Sequence, residues 1–260
     1  PLVVALTEKL IRGKDEKVHH NELQYITEIS LKSPATMIPQ AKNELRRMAN
    51  MAQENLDHAI HGFLNQSTEF VDKVYHREED INNVSHAITD YLVKSNQLSL
   101  PLADQKILGS MFYVVNDIER IGDHAENFAD YTKTEIKHNT GLTGDAKEEI
   151  KKMYTAVSKL LKLSLECFME QDGVNKPEDK LAEIAILEAS IDKMERRYQK
   201  HHIKRLAKGE CEPRAGLLFS DMLSELERIA DHSVNIAYSM SDEDEDEILA
   251  AENEALTAKN

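Results

Sequence analysis

Apolar residues recur at threes and fours along most of this chain. Met37, Ala41, Leu45, Met48, Ala52, Leu56, Ala59 and Phe63 form one such series. That spacing lines up one face of an α-helix. Ser33-Pro34 supplies an N-cap and a proline at the first helical position, so a helix is predicted over 34–66. The pattern predicts a second helix over 67–94, with Val71, Val74, Ile81, Val84, Ile88 and Leu92 inward. A third, opened by Ser99 and Pro101, carries Met111, Val114, Ile118, Ile121, Ala125 and Phe128 and ends near 137. HNTGLTGD (138–145), with two glycines and capping residues, interrupts the periodicity. Three more helices are predicted beyond it, over 145–170, 177–207 and 213–240, with breaks at QDGVNKP and KGECEP.

The second set of helices repeats the first. ERIGDHAENFAD (119–130) and ERIADHSVNIAY (227–238) lie 108 residues apart and share Glu, Arg, Ile, Asp, His, Asn and Ala at matching positions. ELRRM (44–48) answers EIKKM (149–153), and REEDIN (77–82) answers LEASID (187–192), in the same order. One helix cannot bury its own stripe, whereas three can bury theirs against each other. The chain is therefore expected to be all-α, a tandem repeat of two three-helix bundles spanning 31–138 and 145–240. Residues 1–30 are expected to form a short, partly helical linker or juxtamembrane segment.

Composition sharpens this picture. Nine Gly and six Pro in 260 residues favour long helices over a turn-rich β fold. The net charge is −15, and SDEDEDE (241–247) begins an expected solvated acidic tail, 241–260. The remaining body is still acidic, which excludes nucleic acid as a partner, because phosphate binding needs a basic stripe. Cys167 and Cys211 form no CxxC, which suits a reducing compartment. No signal peptide and no complete membrane span is visible. Leu2 to Leu6 is a short apolar run followed by Lys9, Arg12 and Lys14. It reads either as an ordinary amphipathic segment or as the cytoplasmic end of a span lying upstream.

The candidate chemistry sits on the duplicated helices. Residues four apart stack one helical turn above each other. Glu119, Asp123 and Asn127 form such a ladder, as do Glu227, Asp231 and Asn235, each beside its apolar stripe. Like charges so placed repel by a few tenths of a kcal/mol on an isolated helix. A cation between the carboxylates would relieve that repulsion, and oxygen donors suit hard ions such as Mg²⁺, Ca²⁺, Mn²⁺ and Fe³⁺. Arg120 points away from the ladder and is expected to meet Asp117 or His124. The middle helices supply further ligands, Glu188 and Asp192 in the second half and Glu78 and Asn82 in the first. With an amide in place of a carboxylate, the first site is expected to be the weaker. His124 and His232 are turned off the ladder, so a surface or interhelix hydrogen-bonding role is expected for them ahead of metal ligation. Ala230 in place of Gly122 implies that a small residue suffices there, for close helix packing with no need of a positive φ.

On these residues the sequence resembles the PhoU family, whose repeated E(D)xxxD signature matches Glu119/Asp123 and Glu227/Asp231. The resemblance spans about residues 30–240. It implies two similar three-helix bundles, metal ions on the acidic helices (Fe³⁺, Zn²⁺, Mg²⁺ or Mn²⁺) and a part in controlling phosphate uptake. The leading apolar run looks most like the cytoplasmic PhoU-like region of a bacterial sodium/phosphate cotransporter. The implied partner is then a phosphate transporter membrane domain, in the same chain or another, with this chain itself soluble at the cytoplasmic face of the bacterial inner membrane and a homodimer as a further arrangement. The alternatives are a stand-alone PhoU-type regulator, a carboxylate-bridged metalloenzyme and a structural adaptor. The enzyme reading is weak. Glu-x-x-His, which such enzymes carry on two helices of one bundle, occurs at Glu16–His19, outside both bundles, and at Glu135–His138, so no bundle carries it twice. HEXXH, G-x-S-x-G and a Gly-rich phosphate loop are absent.

Overall fold

The computed structural model describes residues 23–27, 34–172 and 177–240. The expected N-terminal helical segment falls largely outside these residues, and the acidic tail wholly so. Six helices carry the described chain: α1 (Pro34–Leu64), α2 (Glu69–Asn96), α3 (Leu102–His138), α4 (Gly144–Glu170), α5 (Glu178–Ala207) and α6 (Pro213–Tyr238). No strand occurs among the described residues. Each predicted helix is present, with ends displaced by a residue or two.

The helix ends follow from local chemistry. Thr143 accepts a hydrogen bond from the Ala146 N–H at 3.3 Å and so caps α4. Asn139, in the left-handed region at φ 51°, ends α3, and the Thr140 N–H returns to the Glu135 carbonyl at 3.1 Å. Gly209, at φ 69°, does the same for α5, with the Glu210 N–H on the Arg205 carbonyl at 2.9 Å.

α1, α2 and α3 pack mutually, as do α4, α5 and α6, giving two three-helix bundles. The apolar stripes read from the sequence are buried, Leu45, Phe63, Ile81, Ile118, Phe128, Met153, Phe168 and Leu226 among them. The bundles join along α1–α4 and α3–α6. Both crossings are antiparallel and near-symmetric. On one side the buried Lys42 ammonium donates to the Phe168 carbonyl at 3.0 Å and to the Gln171 carbonyl, neutralising the C-terminal end of α4. Its repeat partner Lys147 reaches the Leu64 carbonyl at the end of α1, at 3.4 Å. Midway, the Tyr154 hydroxyl donates to Asp57 and accepts from Gln53. Among the described residues no helix is long and apolar enough to cross a membrane. Both cysteines are free thiols.

Candidate functional site

The two signature helices, α3 and α6, lie side by side at the seam. His124 on α3 donates through Nδ1 to Glu225 on α6, and Asn127 donates to the same oxygen at 3.1 Å. Tyr131 reaches the other oxygen at 3.3 Å. The reciprocal half is His232 Nδ1 to Asp117 at 2.9 Å, with Asn235 at 3.4 Å. A carboxylate can only accept here, so both imidazoles carry their proton on Nδ1. The two rings stand 5.5 Å apart at the centre. Burial would raise the Glu225 carboxyl, but hydrogen bonds from His124, Asn127 and Tyr131 outweigh it and hold the group below its usual value.

The expected interhelical role of His124 and His232 is therefore met, whereas the third rung of each ladder is corrected. Asn127 and Asn235 turn across the seam, away from the acids on their own helices. The reason is geometric: at i+8 from Glu119 and Glu227 the helical phase has drifted toward the neighbouring helix. Glu225 went unnoticed in the sequence, and Asp117 was considered only as a partner of Arg120, although the two stand 108 residues apart. Arg120 is a second correction. Its long stem folds back along α3 to Asp123 at 3.4 Å and approaches Glu119 at 4.0 Å.

The carboxylates of each half gather in the cleft between its second and third helices. In the first half Glu78 extends from α2 toward α3 and is 3% exposed, with neither carboxylate oxygen hydrogen-bonded. It lies against Gly122. A Cβ built on Gly122 would stand 2.5 Å from Glu78 Oε2. Gly122 is thus where α3 and the Glu78 carboxyl approach closely, and it needs no positive φ, in keeping with the expected close packing. Burial, and then the charges of Asp123, Glu126 and Glu119, push the Glu78 carboxyl up to about 8. Glu119 is raised by burial and Asp123. Asn82, one turn along α2 from Glu78, is half-buried. Glu126, which sequence reasoning did not single out, joins the cluster from α3.

In the second half the cleft between α5 and α6 holds Asp192, Glu195, Glu227 and Asp231. Burial, then the charges of Asp231, Glu195 and Asp192, raise the Glu227 carboxyl. Asp231, though it reaches solvent, is raised by partial desolvation and by Asp192. Asp192 already pairs with Arg196 at 3.2 Å. Glu188, the repeat counterpart of Glu78, is only half-buried.

Among the described residues, no group of three or more His, Cys, Asp or Glu side chains is placed so that it could hold a metal ion as it stands. The donor chemistry nonetheless fits a hard cation. Each cleft offers carboxylate oxygens alone, and in the first half the Glu78 carboxylate is buried without a partner, a state that ordinarily calls for a proton or a cation.

Comparison with known proteins places this arrangement. The PhoU domain family matches the chain twice, over residues 45–132 and 150–240. The chain belongs to the PhoU family. The two matches cover the two bundles and include both signature helices. A relative in Thermotoga maritima, named phosphate-specific transport system accessory protein PhoU homolog 1, is 22% identical over 75% of this chain and 82% of its own length. A Synechocystis protein named phosphate-specific transport system accessory protein PhoU homolog is 25% identical over 78% of this chain and 88% of its own. The crystal structure of the phosphate transport system regulatory protein PhoU from Streptococcus pneumoniae superposes with a TM-score of 0.70 at 20% identity, covering 80% of this chain and 95% of that one. The structural likeness establishes a shared fold.

Proposed function

We propose that this PhoU-family chain is a non-catalytic regulator of phosphate transport that acts on a membrane transporter from its cytoplasmic face and holds metal ions in its two acidic clefts. The observation that carries the reading is the double family match, one per bundle, onto relatives named as accessory proteins of a phosphate-specific transport system. The clefts support the metal part through their all-oxygen donors and the unpartnered Glu78 carboxylate. Glu78, Glu119 and Asp123 would hold an ion in the first half, with Asn82 at the margin. Glu188, Asp192, Glu227 and Asp231 would do so in the second. A bound cation would cancel the repulsion within each cleft and tie its second helix to its third. Fe³⁺, Mn²⁺ and Mg²⁺ suit oxygen donors better than Zn²⁺, which is most at home with nitrogen and sulfur.

The separate-regulator reading has more support than the cytoplasmic region of a sodium/phosphate cotransporter. The latter rests on residues 1–22, outside the described residues, while the relatives above are named as accessory proteins. Two measurements test the proposal. Elemental analysis of the purified chain should find metal that Asp123→Asn/Asp231→Asn loses, together with a metal-dependent rise in melting temperature. Phosphate uptake in bacterial cells should change when residues 30–240 are deleted from the gene. Unchanged uptake refutes the regulatory reading, and absent metal refutes the metal reading alone.

A further inference from the structure

A second polar site lies far from the seam, where the start of α4 meets the end of α5. A cavity of about 350 Å³ opens there, with Glu149 and Lys152 from α4 and His201, Lys204 and Arg205 from α5 in its wall, and with Asp145, Glu148, Lys208 and Glu210 also bordering it. That volume falls at the lower end of the range for small-molecule pockets.

The repeat shows what is unusual about it. The first-half counterpart of Glu149 is Glu44, which is fully buried and accepts the Gln24 and Tyr25 main-chain N–H groups at 2.9 and 2.7 Å, and Arg47 besides. Residues 23–27 therefore cover that position, and Ile26 is buried as they do so. In the second half no described segment covers Glu149. Its carboxylate is engaged from α5 instead, by His201 at 2.6 Å and Arg205 at 2.8 Å. The acid at the base of the cavity is thus already satisfied, and Glu210 at the rim pairs with Lys208 at 3.5 Å.

Arg205 is 9% exposed, and its guanidinium lies over the Phe219 ring at 5.1 Å, so its plane is fixed. One of its five N–H donors is used on Glu149. Lys152 and Lys204, both exposed at the cavity mouth, have no carboxylate within ion-pair distance among the described residues. Asp145 and Glu148 also border the mouth, where water and salt screen them as they screen the two lysines. A rigid guanidinium flanked by two free ammonium groups recognises oxyanions through charge-assisted hydrogen bonds. Three cationic groups arriving from two helices favour a multiply charged oxyanion over a single carboxylate.

We propose that this cavity binds phosphate, either free or as the phosphoryl group of a larger molecule, with Arg205, Lys152 and Lys204 as its donors. The site deepens the regulator reading by giving the protein its own contact with phosphate. It is tested without any transporter, so its failure and the failure of that reading are separate results.

Calorimetric titration of the full chain, stripped of metal with a chelator, takes inorganic phosphate, ADP and acetate in separate arms. One saturable site per chain is expected for phosphate or ADP, with acetate weaker. The Lys152→Ala/Lys204→Ala variant should bind at least about tenfold more weakly while melting at the wild-type temperature, because both side chains are exposed. Binding of phosphate alone identifies the free ion as ligand, and tighter binding of ADP identifies a phosphoryl group. No saturable heat with either, affinity unchanged in the lysine variant, or acetate binding as tightly as phosphate overturns the proposal.

Discussion

The two halves carry the same signature and use it differently. In the first, three acids on α3 surround one carboxylate that is buried against Gly122. In the second, two acids from α5 meet two from α6 in a more open cleft, and Asp192 is already paired with Arg196. The small residue beside the cleft differs too: Glu78 lies against Gly122, and Ala230 stands at the matching position of the second half. The helices and their seam repeat, while the burial and pairing of the acids differ between the two sites.

The largest test of this contrast is pH-dependent stability. The folded-state carboxyl of Glu78 lies above its unfolded value of 4.5, at about 8. The folded chain therefore binds this proton more tightly than the unfolded chain, and Glu78 makes stability fall as pH rises from about 4.5 to about 8. Glu78→Gln should leave stability at pH 5 nearly unchanged and raise it at pH 9, with an upper bound of about 5 kcal/mol. The matching Glu188→Gln variant should change it by less than about 1 kcal/mol, since water still reaches that side chain. Urea unfolding of metal-free protein at the two pH values checks both. Similar behaviour of the two variants would erase the contrast.

A smaller effect is expected beside Gly122. Gly122→Ala places a methyl 2.5 Å from Glu78 Oε2, so the flexible end of that side chain must shift, while the helix gains about 1 kcal/mol of propensity. The net change should stay within about 1 kcal/mol, and the same replacement should be more favourable in a Glu78→Ala background, where nothing has to shift. Ala230→Gly should cost at least about 1 kcal/mol, from helix propensity and a lost buried methyl. Thermal unfolding checks both, and an equal effect of Gly122→Ala with and without Glu78 would show that the carboxylate does not depend on that glycine.

The smallest expected difference between the halves sharpens the comparison at the seam. His124 belongs to a set of three donors on buried Glu225, whereas His232 and Asn235 serve the more accessible Asp117. His124→Ala should cost about 1–2 kcal/mol and His232→Ala about half of that, since the worth of a hydrogen bond grows with the burial of the group it satisfies. Equal costs would mean that the two clasps are equivalent despite their different surroundings.

Residue spacing alone was enough to read the six helices, the two bundles and the acidic faces. Periodic apolar residues such as Met37 to Phe63 have few ways to become buried, and ladders at i and i+4 follow from helical pitch alone. Within one helix these relations are local, so spacing suffices. Only tertiary structure decided that Asn127 and Asn235 leave their ladders for the seam, that Arg120 folds back on Asp123, and that Glu78 sinks against Gly122. It also decided that Glu44 is covered by residues 23–27 while Glu149 borders an open cavity. Each of these depends on which face of a neighbouring helix arrives and at what depth, and a one-dimensional pattern does not encode those distances.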